Sequence, residues 1–199
     1  MRIEFDEQKH EYRVDGRKVP SVTDIITPLT AKHYGDIAKE ILLAAAERGT
    51  VVHEACEYLD YGCTAEVPAE YEGYVQAYAD FLNDFRPELL AAEKMVYSAE
   101  GDYAGRLDRW FLMDGKTAVL DIKTTSSPNR ANYMAGCCQT IAYADAVGDV
   151  KRRFLLYLKK EGRYRLIDCA EWERKHNFDA RRVWQLCLDL YNETERSVK

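Results

Sequence analysis

Six polar residues stand at spacings that could bring them to one place: His53, Asp108, Asp121, Lys123, Gln139 and Tyr143. Asp121 and Lys123 are two apart, so on a strand they share one face. Asp114-Gly115 is a two-residue hairpin signal lying between Asp108 and Asp121. In an ideal hairpin about that turn, positions 108 and 121 are directly opposed. Two facing carboxylates repel unless a cation joins them, and Lys123 cannot neutralise both at contact distance. The expected occupant is a hard divalent ion with oxygen ligands, Mg²⁺ or Mn²⁺. Such an ion polarises a phosphoryl oxygen and lowers the pKa of a bound water. Lys123 beside it could orient that water and stabilise the charge of a pentavalent phosphorus. His53 could complete the shell, which tilts the preference toward Mn²⁺. The reaction class is metal-dependent phosphodiester hydrolysis.

Each feature also has a bland reading. A lone histidine on a helix is more often a satisfied or surface residue. A D-x-K triplet recurs by chance on exposed strands, and Lys123 could be no more than the partner of a carboxylate. The order and spacing of the whole set set it apart.

The elements that must carry these residues can be read from pattern. Residues 2–19 predict a hairpin: Ile3-Glu4-Phe5, then Tyr12-Arg13-Val14, the turn Asp15-Gly16, and Lys18-Val19. Ser21 with Asp24 predicts a capping box for a short helix over 22–26, ended by Pro28. Residues 36–47 read as a helix that Arg48-Gly49 interrupts. Thr50 then caps a second helix, 51–61, and a third follows over 69–85. The texture changes to strands at 90–98, 103–113 and 117–124, the last apolar enough to be central. A helix over 131–147, strands at 153–159 and 163–168, and a last helix over 171–194 complete the chain. The fold class expected is α/β, a mixed central β-sheet flanked by helices. One domain over 1–199 is expected, with a hairpin and helical elaboration (1–88) before the core (89–199).

The motifs resemble those of the PD-(D/E)XK nuclease superfamily in its RecB-like, phage-type exonuclease branch. That branch orders G-x-x-x-H, E, G-x-x-D, D-x-K and Q-x-x-x-Y. Here the same order runs Gly49…His53, Glu93, Gly105-Arg106-Leu107-Asp108, Asp121-Ile122-Lys123 and Gln139…Tyr143. The resemblance implies a restriction-endonuclease-like core. It makes His53, Asp108 and Asp121 metal ligands with the Ile122 carbonyl beside them, and Lys123 the catalytic lysine. Gln139 and Tyr143 would line the active site and contact the DNA backbone. Glu93 is a ligand through water or a strand-edge carboxylate. The implied activity is a DNA nuclease, an exonuclease, in phage or prophage recombination, replication or repair. A non-catalytic binding module that keeps the fold and a restriction-type endonuclease are the alternatives. The stretch His10-x-Tyr12-x-Val14-Asp15-Gly16…Pro20-Ser21-Val22-Thr23 also resembles small phage members.

Six cysteines are present, with no C-x-x-C, no cysteine before His53 and only Cys169 and Cys187 after Tyr143. Iron–sulfur members of the branch carry three near the C-terminus, so no cluster is expected. No phosphate loop of the G-x-x-x-x-G-K-[ST] type occurs. The 199 residues carry 28 Lys+Arg against 34 Asp+Glu, a net charge of -6. That sum hides a division, because residues 151–199 hold 13 Lys/Arg against 8 Asp/Glu. Lys151, Arg152, Arg153, Lys159, Lys160, Arg163 and Arg165 are thus the candidate DNA surface. Tyr34 and Tyr133 are candidates for stacking on bases. No apolar run approaches the ~18 residues of a membrane span, and the opening MRIEFDEQKHEYRVDG has no signal-peptide core. A cytoplasmic setting, in a bacterium or a phage-infected cell, is expected, with DNA as partner and no membrane. A homo-oligomer or a recombination partner protein is left open.

Overall fold

A computed structural model describes residues 1–7, 9–34, 37–125 and 127–196, with backbone alone at 32–34 and 195–196. Its centre is a five-stranded mixed sheet of β4 (Glu88–Ser98), β5 (Tyr103–Met113), β6 (Lys116–Lys123), β7 (Arg152–Lys159) and β8 (Arg163–Asp168), in that spatial order. All neighbours are antiparallel except β6 and β7, which run parallel. Parallel neighbours need a crossover, and α4 (Arg130–Val147) supplies it. Asp114 and Gly115 both have positive φ, 49° and 70°, as the predicted tight turn between β5 and β6 requires.

The sheet is covered on both faces. On one side α1 (Val22–Tyr34), α4, α5 (Cys169–His176) and α6 (Ala180–Arg196) bury Ile25, Cys137, Ile141, Trp172 and Trp184 against Leu107, Val119 and Leu155. On the other, α2 (Lys39–Asp60) and α3 (Glu72–Phe85) bury Val52, Tyr78 and Phe81 against Phe111, Leu120 and Leu156. Both faces of β6 and β7 are therefore apolar, as expected of parallel strands. Among the described residues no helix is long and apolar enough to cross a membrane.

Residues 1–20 make more than a hairpin. Strands β1 (Ile3–Asp6), β2 (Glu11–Val14) and β3 (Arg17–Val19) form a separate antiparallel sheet. It packs Tyr12, Val14 and Val19 against Ala104, and Ala104 N–H donates to the Pro20 carbonyl at 2.9 Å. The predicted capping box is present: Asp24 N–H donates to Ser21 Oγ at 2.9 Å and Ser21 N–H to Asp24 Oδ2 at 3.2 Å.

Three helix boundaries differ from expectation. Pro28 lies inside α1 and does not end it. The missing N–H costs one bond, but Ile25, Ile26 and Leu29 pack into the core on either side and hold the helix together. Arg48-Gly49 does not break the second helix, since α2 runs through both. Thr50 is no cap, because its hydroxyl bonds back to the Ala46 carbonyl at 3.2 Å. Glycine costs a helix roughly 1 kcal/mol, less than burial of Val52, Ala55 and Cys56 returns. The last predicted helix is two. Asn177, at φ 48°, closes α5, and Asp179 restarts the chain as α6 by accepting from Arg182 N–H at 2.9 Å.

The first turn of α3 sits directly on the β7–β8 turn. A Cβ at Gly73 would stand 1.8 Å from the Lys160 carbonyl oxygen. Gly73→Ala must push backbone from backbone, and we expect a loss of about 1–3 kcal/mol, read as a lowered midpoint of thermal or urea unfolding.

Candidate active site

Strand β5 is where the sheet opens. Its side chains should alternate, yet Leu107 packs on the α1/α4 face while Arg109, Phe111 and Met113 turn toward α2 and α3. The alternation slips at Asp108. Across from it, β4 pairs as Ala92–Arg109 and Lys94–Leu107, with Glu93 between them at φ 44°. A glutamate held in the left-handed region costs energy and is retained where the surroundings over-determine it. Here that backbone aims Glu93 at His53 and Arg109.

On its other side β5 pairs with β6 in the predicted register as far as Arg109–Leu120. The next positions are Asp108 and Asp121, where the ladder stops. Ile122 N–H donates instead to the Asp108 side chain, at 2.6 Å to Oδ2. The predicted opposition of 108 and 121 is thus met as a fork. One carboxylate takes a backbone donor from the facing strand, and the other turns to Lys123.

His53 enters the fork from α2. Its Nε2 lies 3.1 Å from the Ile122 carbonyl, which can only accept, so Nε2 carries the proton. Nδ1 then faces two carboxylates, Glu93 Oε1 at 3.6 Å and Asp108 Oδ1 at 3.8 Å. A bare nitrogen lone pair against two anions is repulsive, so Nδ1 wants a proton or a metal ion. Burial works against a charged imidazole, but Asp108 and Glu93 outweigh it and raise the His53 pKa. Glu93 is lowered: burial opposes this, and His53 and Arg109 overcome it.

One imidazole nitrogen and two carboxylate oxygens, from His53, Glu93 and Asp108, lie within 4.8 Å of one another. This donor set suits Mg²⁺ or Mn²⁺, with the nitrogen favouring Mn²⁺. Glu93, placed by sequence at the margin of the site, is a full member of this cluster. Asp121 stands next to it. Lys123 Nζ donates to Asp121 Oδ1 at 3.1 Å and approaches Oδ2 to 2.9 Å, yet the buried Oδ2 receives no directed hydrogen bond. Burial raises the Asp121 pKa against the pull of Lys123, with Asp108 adding to the rise.

The remaining predicted residues form a chain on α4. Lys123 Nζ donates to Gln139 Oε1 at 3.0 Å, and Gln139 Nε2 donates to the Tyr143 hydroxyl at 3.1 Å. Tyr143 is buried, and burial, with the Asp108 charge, holds its pKa well above the usual phenol range, so it stays neutral. Gly105 explains itself here. A Cβ there would stand 2.8 Å from Tyr143 Cε1, so glycine is what lets the ring reach the site.

Sequence reasoning left Arg109 without a role. It is fully buried. It ion-pairs with Asp60 and, at 2.7 Å, with Glu93. It also donates to the carbonyls of His53 (3.2 Å) and Asp108 (2.7 Å), and Tyr78 OH completes Asp60 at 2.7 Å. An arginine in a strand reads as exposed, and its one available signal was its place next to Asp108. The predicted basic surface is largely spent on internal pairing. Arg152 meets Asp168, Arg153 meets Glu173, Lys151 meets Asp149, and Lys159 donates to the Thr125 carbonyl.

No family model matches the chain, and no curated protein matches it. Similar solved structures include LHK-Exo in complex with dAMP, at 10% identity over 91% of this chain and 95% of that one, TM-score 0.39. An alkaline exonuclease (LHK-Exo) from Laribacter hongkongensis is 12% identical over 89% of this chain and 92% of that one, TM-score 0.38. SSO0001 is 16% identical over 73% and 75%, TM-score 0.28. Likeness at this level assigns no activity.

Two outcomes are expected of this geometry. Metal ions compete with a proton on His53 whose pKa is raised, so Mn²⁺ affinity should strengthen as pH rises through a midpoint above the ordinary imidazole value of about 6.5. Calorimetric titration across pH should show proton uptake by the buffer, and Glu93→Gln should move the midpoint down. Arg109→Met strands Asp60 and Glu93 as buried, uncompensated charges and should cost about 3–5 kcal/mol in urea unfolding. Arg109→Lys, which lacks the planar fork, should recover only part of that.

Proposed function

We propose that this chain is a divalent-metal-dependent DNA nuclease acting as an exonuclease. The observation that carries the reading is one cleft in which the His53–Glu93–Asp108 cluster adjoins Asp121, Lys123 and Gln139. These residues fit a hard divalent ion. His53, Glu93 and Asp108 would hold it, with Asp121 and the Ile122 carbonyl adjoining. Bound there, the ion would supply positive charge against a phosphodiester oxygen and acidify water.

The protein's own groups have distinct tasks. Lys123 is fixed from two sides, by Asp121 and by Gln139. Its ammonium is therefore held in place before substrate arrives, which is the condition for stabilising charge that develops on phosphorus oxygens. Asp121 positions the lysine. Gln139, oriented by Tyr143, fixes the outer side of the ammonium and presents an amide edge to the cleft. Tyr143 remains a neutral phenol, able to hydrogen-bond a backbone phosphate. The finer assignment, attack from strand ends, follows from the resemblance of the motif order to the RecB-like branch.

The test is degradation of end-labelled linear and covalently closed circular DNA with Mg²⁺ or Mn²⁺. Linear DNA should be consumed and closed circles spared, and chelation should stop the reaction until Mn²⁺ is returned. Lys123→Met and Asp121→Asn should each lower the rate at least about 100-fold with unfolding midpoints little changed. Undiminished degradation by both variants would sink the site, and cleavage of closed circles would replace exonuclease by endonuclease.

A further inference from the structure

A cavity of about 670 Å³ lies apart from the candidate active site. It lies between β8, α5 and the first turn of α4, and its rim carries Arg130, Arg165, Lys175 and His176. Its size is in the range of about 300–1,000 Å³ typical of ligand sites. Its position relative to the catalytic cleft is set by two consecutive residues. Asn132 lines the cavity that also contains Lys123 and Gln139, whereas Tyr133 lines this one. The first turn of α4 is the ridge between them.

The cations on the rim have not been used by the fold. Among the described residues, Arg130 donates to the His176 carbonyl at 3.4 Å and Arg165 to the Tyr133 hydroxyl at 3.5 Å. Among the described residues, none of Arg130, Arg165 and Lys175 forms an ion pair, whereas Arg152 and Arg153 nearby are both paired with carboxylates. Asp168 lines the cavity but is already committed to Arg152 and to capping α5. Glu171 is the remaining acid on the rim. The floor is aromatic. Tyr133 stacks on Trp172 at 5.4 Å and Trp172 on His176 at 4.4 Å, so His176 ends the row. Tyr133 also meets Tyr157 at 5.2 Å, and Tyr157 lines the cleft beside Lys123. Unpaired arginines and a lysine around an aromatic floor are the elements that hold a single nucleic-acid strand: cations for phosphates and a ring for a base.

We propose that this cavity binds a single-stranded DNA segment next to the catalytic cleft, with Arg130, Arg165 and Lys175 on its phosphates and a base against the His176 ring. This deepens the nuclease reading and rests on it, because that reading supplies the polyanion. A cavity of this volume has room for a few nucleotides of one strand.

The experiment is fluorescence anisotropy of a labelled single-stranded oligonucleotide, with Ca²⁺ replacing Mg²⁺, in a Lys123→Met parent. Replacing Arg130, Arg165 and Lys175 together by glutamine should weaken binding at least tenfold. It should also reduce the slope of log affinity against log salt by about 2, the value for three lost phosphate contacts on a single strand. His176→Ala alone should weaken binding about fivefold or more, as loss of one stacked base does. Glutamine at Lys39, Arg86 and Lys116, three exposed cations elsewhere, removes the same net charge and should change affinity far less. Equal affinity and slope in the cavity triple and the parent would overturn the proposal, as would equal losses in the two triples. A matching loss for a blunt duplex would overturn the single-strand assignment. Failure of the nuclease reading appears separately, as absence of DNA degradation by the unaltered chain with Mg²⁺ or Mn²⁺.

Discussion

One buried guanidinium holds the site together. Arg109 has no exposure to solvent and spans three elements: Asp60 and the His53 carbonyl on α2, Glu93 on β4, and the Asp108 carbonyl on its own strand. Burying a charge is costly unless it is paired and its donors are filled. Here the planar fork reaches two carboxylates and two carbonyls at once. Burial alone would lower the arginine's pKa, but Tyr78, Asp60 and Glu93 raise it instead, so it is charged under any ordinary condition. A permanent cation makes it possible to keep Glu93 ionised in a cleft that also contains Asp108 and Asp121. Without it, His53 alone would face Glu93 and Asp108, and the carboxylates would relieve their repulsion by taking up protons.

The strained and irregular parts of the structure gather around that cation. Glu93 lies at positive φ, the alternation of β5 slips at Asp108, and the β5–β6 ladder ends one pair before the acidic residues meet. A regular sheet would bury the two aspartates in a continuous ladder. The fork breaks that ladder and recruits Ile122 N–H to fix Asp108. On the opposite side the chain Lys123–Gln139–Tyr143 is rigid for a different reason, since Gly105 lets the Tyr143 ring settle against β5.

Much of this was legible in the sequence. The Asp114-Gly115 turn gives the register of β5 on β6, and the apolar run 118–122 gives a central strand. The motif order names the side chains that meet, except that Glu93 is more central than its isolated position suggested. What was not legible has one physical origin. Arg109, Asp60 and Tyr78 look like ordinary strand and helix-surface residues, because mutual compensation inside a protein leaves no local pattern. The helix boundaries failed for a related reason. Pro28, Gly49 and Thr50 carry correct local penalties, but long-range burial of Ile25, Leu29, Val52 and Cys56 overrides them. Asn177 was missed in the opposite direction, as a left-handed break in a segment whose composition is helical throughout.

The parallel pairing of β6 and β7 has a consequence for when the cleft is assembled. The residues of the cleft come from α2, β4, β5, β6 and α4, and β6 is held in the sheet on one side by β7, beyond the crossover helix. Non-local pairing repays its loop-closure entropy only once the ends have met. A chain still leaving the ribosome can complete the β4–β5–β6 meander early, yet β6 then stands as an open edge. The ammonium of Lys123 has no Gln139 until α4 docks, and part of the surface on which α4 packs is supplied by β7. The cleft is thus completed late in biosynthesis, and a chain that ends before α4 lacks the Lys123–Gln139 contact.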